Sequence, residues 1–122
     1  MRLNDKPLDL TMVALAHPTR RAILERVMRG ESRVTKLARP FAMSLSAVSK
    51  HIRVLERAGL VRRRKIWREH LVSFNPAPLD EVSAWIEKRR AFWVAQLDAL
   101  EAVLKAEDDA AAEATDKKGS SK

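Results

Sequence analysis

Residues 44–64, SLSAVSKHIRVLERAGLVRRR, hold the side chains whose spacing could do chemistry. Read as one helix, they place Ser46, Ser49, Lys50, Arg53 and Arg57 on one face and Val48, Ile52 and Leu55 on the other. Steps of three and four residues keep each set on its own side. A helix that buries one side and offers short hydroxyls and cations on the other suits the major groove of DNA. Short side chains let the backbone come close, and cations meet phosphates and guanine edges. The segment after it, VRRRK, predicts a basic strand.

The charge distribution points the same way. Residues 33–75 hold eleven Lys and Arg against two acids, Glu56 and Glu69, whereas the remainder has thirteen bases and fourteen acids. The net charge of +8 therefore arises wholly in this central block. A segregated basic excess implies a polyanionic partner, where a scattered one would imply only solubility.

Enzymatic chemistry finds no support. No nucleophile–base set, phosphate loop or paired-acid cleft is legible, and the three histidines stand in unrelated contexts. No catalytic residue and no cofactor are expected. The absence of cysteine excludes disulfides, zinc fingers and thiol catalysis, and fits a reducing cytoplasm. No apolar run approaches a membrane span, so no membrane partner and a cytoplasmic location are expected.

The elements that must position the basic block follow from periodicity and punctuation. Residues 1–7 read as a loose start and 8–16 as a short helix. His17–Pro18 opens a second helix to about residue 29, closed by Gly30. A third, short helix spans about 35–41, with Pro40 awkward inside it. Ser44 can cap the fourth helix and Gly59 ends it. Residues 60–65 and 70–74 predict a hairpin with a loop at 66–69. After Asn75–Pro76–Ala77–Pro78, residues 79–106 read as a long helix with an approximate heptad seam. The domain is expected to end near residue 107. The stretch 108–122, DDAAAEATDKKGSSK, has no apolar periodicity and is expected to be a disordered tail.

Four helices, a basic hairpin and a final long helix make a winged helix-turn-helix plan, mainly α with a small β-hairpin. The sequence resembles the ArsR/SmtB family of bacterial repressors, in the branch without metal ligands. The resemblance lies in LAHPTRRAILERV at 15–27, MSLSAVSKHIRVLERAGLVRRR at 43–64, NPAPL at 75–79 and RRAFW at 89–93. It covers about residues 8–105. In that family glycine often stands where this chain has Ala42 and Trp67.

The resemblance implies a homodimer on double-stranded DNA, with the first and last helices forming the interface. Each subunit would put a recognition helix into a major groove and read half of an imperfect palindrome. Ser44, Ser46, Ser49, Lys50 and Arg53 are the expected DNA contacts of the helix, and Arg64, Lys65 and Arg68 those of the wing. Leu8, Met12, Leu15, Val82, Ile86, Trp93, Leu97, Leu100 and Leu104 are the expected dimer contacts. The last helix has no histidine, and Asp80, Glu81, Glu87 and Asp98 alone are poor zinc ligands, so no metal site is expected. The residues name no small-molecule effector. The competing reading is an architectural DNA-binding protein with little sequence preference.

Overall fold

The computed structural model describes residues 6–120, with side chains to residue 115. Residues 1–5 and 121–122, the outer parts of the expected loose start and tail, lie outside the described residues. The chain divides into two compact units, Met1–Ala84 and Trp85–Lys122.

The first unit contains helices α1 (Pro7–Leu15), α2 (Pro18–Met28), α3 (Val34–Ala38) and α4 (Leu45–Arg57), and strands β1 (Ser32–Arg33), β2 (Val61–Ile66) and β3 (Glu69–Phe74). The strands form one antiparallel sheet in the order β1–β3–β2. The expected hairpin is thus part of a three-stranded sheet. Strand β1 pairs Ser32 with Val72 and Arg33 with Leu71. Two residues are too few to show any alternation in sequence, so this strand exists only through its partner.

Ala14 of α1, Ile23, Leu24 and Val27 of α2, and Val34 and Leu37 of α3 meet Val48, Ile52 and Leu55 of α4 in one core, closed by Leu60, Val61 and Val72. Helix periodicity and strand alternation deliver these residues to one interior, where burial removes apolar surface from water.

Local chemistry fixes the helix ends. The Thr19 amide donates to His17 Nδ1 over 3.1 Å, so the histidine caps α2 while Pro18 fills its first turn. Arg20 donates from Nε to the Ala14 carbonyl and from Nη2 to the Val13 carbonyl, each at 2.9 Å. These are C-terminal carbonyls of α1; that of Val13 also accepts the Ala16 amide of the cap over 3.2 Å, so Arg20 is its second donor. Helix α3 ends at Ala38 with Arg39 as its cap, so Pro40 lies beyond it. The awkwardness expected of Pro40 disappears, because no bond of the helix needs its missing N–H.

Helix α4 ends in a Schellman motif. The Leu60 amide donates to the Leu55 carbonyl and the Gly59 amide to the Glu56 carbonyl, over 3.0 and 2.9 Å. Gly59 has a φ of 77°, which a side chain would strain. Asn75 ties this corner to the end of β3: its Nδ2 donates to the Gly59 carbonyl over 2.8 Å and its amide to the Leu60 carbonyl over 2.9 Å.

Helix α5 spans Ala77–Ser120. It continues past residue 107, where the sequence predicts the start of an unstructured tail. Residues 108–114, DDAAAEA, carry no apolar stripe but are rich in alanine, the strongest helix former. Beyond Ala84 it constitutes the second unit.

Candidate nucleic-acid interface

Helix α4 sorts its side chains as its sequence requires. Val48, Ile52 and Leu55 are fully buried, and Ser46, Lys50, Arg53 and Arg57 are exposed. Ser49 is half-buried at the edge of the exposed face. Ser44 caps the helix, its Oγ accepting from the Ala47 amide over 3.1 Å. A hydroxyl used as acceptor still has its proton to donate, so the cap remains able to bond a phosphate oxygen.

The wing stands against this helix through a charged contact. Arg63 Nε donates to Glu56 of α4 over 3.0 Å, and Val61 on the same strand is buried. Alternation along β2 therefore turns Val61, Arg63 and Lys65 to the α4 side and Arg62, Arg64 and Ile66 to the opposite face. The Arg63 Nη2 is buried without a hydrogen-bond partner among the described residues, leaving that guanidinium only partly compensated.

The expected wing contacts do not stand alike. Arg64 lies on the face away from α4 and is held by Glu31. Its Nε and Nη2 donate to the two carboxylate oxygens over 2.9 and 2.7 Å. This fork-to-fork pairing raises the arginine's pKa and, chiefly through the hydrogen bond, lowers that of Glu31. From sequence Arg64 is expected to be a free DNA contact. Glu31, thirty-three positions earlier, gives no local sign of the pairing. Lys65 and Arg68 are exposed and take part in no ion pair among the described residues.

A cleft of about 490 Å³ lies between the two elements. Leu45, Ser49 and Arg53 of α4 line it from one side, Arg63, Arg68, Glu69 and His70 of the wing from another, and Arg33, Val34 and Thr35 complete it. Ser49, Arg53 and Arg68, all expected from sequence, are thus brought together. Arg33, Arg63, Thr35 and His70 are additions that sequence reasoning misses. The basic block contains both arginines, but only the fold shows that they face the same cleft. Arg33 is partly neutralised by Glu69 at 3.0 Å.

His51 sits on the flank of α4, half-buried. Arg20 Nη1 lies 3.2 Å from its Nδ1, and the ring of His17 is 4.5 Å away, centroid to centroid. A guanidinium has no acceptor, so Nδ1 accepts and the imidazole is neutral. Burial first, then the charges of His17 and Arg20, hold its pKa below the ordinary histidine value. This is the position of a structural histidine, partly buried and hydrogen-bonded nearby.

The expected dimer contacts divide as well. Val82 is only 8% exposed and so is already covered within the chain. Leu15 packs on the core and Leu8 is half-buried, while Met12 and its neighbour Val13 are exposed. On α5, Ile86, Trp93, Leu97, Leu100 and Leu104 are all exposed. Among the described residues no group of three or more His, Asp or Glu gathers as a metal site, and no helix is long and apolar enough to cross a membrane.

Comparison with known proteins agrees with this geometry. A helix-turn-helix domain family matches residues 15–64, which include α2, α3, α4 and the start of the wing. The HTH-type transcriptional regulator Rv2034 of Mycobacterium tuberculosis is 34% identical over 101 residues, spanning 83% of this chain and 92% of that protein. The crystal structure of the ArsR family transcriptional regulator RHA00566 matches with a TM-score of 0.70 and 39% identity, covering 72% of this chain and 97% of that one. An ArsR-like transcriptional regulator from Rhodococcus sp. RHA1 matches with a TM-score of 0.70 and 29% identity, over 80% of this chain and 92% of that one. With its capped helix-turn-helix, its basic wing and these relatives, the chain belongs to the ArsR family of winged helix-turn-helix transcriptional regulators.

Proposed function

We propose that this regulator is a homodimeric repressor that reads an imperfect palindrome in its own or a neighbouring promoter. The carrying observation is the exposed face of α4, with Ser46, Ser49, Lys50 and Arg53 beside the basic cleft of the wing. Hydroxyls and a lysine at the start of the helix suit base edges, and Arg53 one turn on suits a phosphate. Ser44 supports the same contact from the cap. Lys65 and Arg68 extend the backbone contact, and Arg64 joins only when Glu31 releases it.

Dimerisation is supported by the exposed apolar stripe of α5. Its spacings of seven, four, three and four, from Ile86 to Leu104, keep five large side chains on one face. Regulation independent of metal is supported by the lack of cysteine in the sequence and of histidine on α5.

Selection of binding sites from random duplex DNA tests this reading. The expected product is a symmetric site whose half-sites lie about one helical turn, ~34 Å, apart or a multiple of it. Failure to enrich any sequence, with equal affinity for all duplexes, would instead establish the architectural reading.

A further inference from the structure

The wing reverses direction through only two residues. Ile66 pairs with Glu69, leaving Trp67 and Arg68 as the turn, where a four-residue loop is expected from sequence. Trp67 adopts a φ of 59°. This left-handed region is uncommon for any residue with a side chain and is a marked outlier for a bulky one. Glycine makes such a turn without strain. Trp67 is also 92% exposed, more than any other large apolar residue described.

Strain and exposure thus coincide at one residue: the two-residue turn needs the positive φ, but a 92% exposed indole adds nothing to the packing of the fold. Backbone strain of this kind collects where a structure holds a side chain for a ligand. The surroundings say which ligand. Ile66 beside it is exposed, and Lys65 and Arg68 flank it with cations. Arg68 lines the same cleft as Ser49 and Arg53, so the tip extends from the surface that carries the recognition face.

We propose that Trp67 is an apolar plug for the DNA minor groove. This rests on the DNA-binding reading and adds a contact to it. With α4 in the major groove, the duplex surface next to the wing is the adjoining minor groove. That groove is about 6 Å wide and admits a planar ring edge-on. There the indole meets deoxyribose faces and base edges, while Lys65 and Arg68 hold the phosphates on either rim. The width of the minor groove depends on sequence, so a ring that fills it selects by DNA shape as well as by charge.

The test uses the full chain labelled with 5-fluorotryptophan, whose three tryptophans, Trp67, Trp85 and Trp93, give separate fluorine resonances. Trp67→Phe assigns the first. Adding a duplex two helical turns long and rich in A·T pairs should shift the Trp67 resonance saturably, and netropsin bound in the minor groove should reverse the shift; a shift that saturating netropsin leaves unchanged would put the indole elsewhere on the duplex and overturn the plug. Trp67→Gly should keep or raise the melting temperature, because the strain is gone, yet weaken duplex binding at least about fivefold. Trp67→Phe should retain most of the affinity. A duplex that binds while the Trp67 resonance stays unchanged would overturn the plug and leave the DNA-binding reading intact. If the wild-type chain bound no duplex even at low salt, that reading would fail and the plug with it. If Trp67→Gly did not fold, the wild-type resonance would still decide.

Discussion

His51 couples the recognition helix to the protein's proton balance. Its Nδ1 accepts from Arg20, which also holds the last carbonyls of α1, and its ring rests beside His17, the cap of α2. Protonation removes the acceptor and sets a new cation against Arg20 and His17. Because the folded pKa lies below the unfolded value of about 6.5, the unfolded chain binds more protons between the two. The histidine's contribution to stability is therefore complete above about pH 6.5 and declines as pH falls through the lowered folded value. Urea midpoints measured from pH 7.5 down to 5 should fall more steeply for the wild type than for His51→Gln, on the order of the single-proton slope. Equal slopes would show that His51 does not carry the effect. The sequence places His51 between the two faces of α4, but its partners come from another helix and a cap, and no spacing within 44–64 could name them.

At the scale of elements, α4 is legible because its own residues specify it. A serine cap, an apolar stripe at helical spacing and a glycine stop agree with one another, and the helix lies within a residue of its expected ends. The wing is less legible. Arginine-filled strands give little β signal, and β1 is fixed only by pairing with β3. The turn escapes sequence reasoning because its left-handed residue is tryptophan, where glycine would announce it. The same limit applies to charge: eleven cations are visible in the sequence, but the carboxylates that occupy Arg33, Arg63 and Arg64 are not. The structure therefore changes the mutational forecast. Ser49→Ala and Lys50→Ala should reduce discrimination between a selected site and random DNA, by roughly 1–3 kcal/mol for a good base contact. Lys65→Ala and Arg68→Ala should weaken both duplexes evenly and flatten the salt dependence, by about 0.9 in log–log slope for each phosphate that is no longer neutralised. Arg64→Ala should change that slope less, because Glu31 already neutralises the arginine. Fluorescence anisotropy across a salt series separates these effects. An Arg64 variant with the largest change in slope would mean that the Glu31 pair opens on DNA.

The whole molecule turns on what covers α5. The helix is about 66 Å long at 1.5 Å per residue, and from Ile86 onward its large apolar side chains face solvent. Ile86, Trp93, Leu97, Leu100 and Leu104 lie within about a quarter of the helix circumference, the narrow seam that a pair of helices needs. Burial of each such side chain favours association by roughly 1.5–3 kcal/mol before the cost of immobilisation, so five together can hold a dimer at micromolar concentration. Val82, expected in this seam, is better assigned to the interior of its own chain, and the exposed Val13 joins Met12 as the part of α1 left uncovered. Sedimentation velocity should show a dimer for the wild type and a monomer for Leu97→Glu, since an unpaired carboxylate in the seam is strongly unfavourable. Leu97 is 54% exposed in the single chain, so the variant should keep the circular dichroism of the wild type. A dimer that survives Leu97→Glu would move the interface away from this stripe. A variant without the helical signal would show that Leu97 supports the chain's own fold, and a second substitution on the same stripe, Leu100→Glu, would then have to dissociate the dimer with the helix intact. Duplex affinity supplies the functional readout. Two linked reading heads gain from each other's engagement, so the monomeric variant should bind a two-half-site duplex far more weakly than the wild type does, while its affinity for a single half-site changes little. Equal weakening on the two duplexes would mean that the chains do not read DNA in pairs.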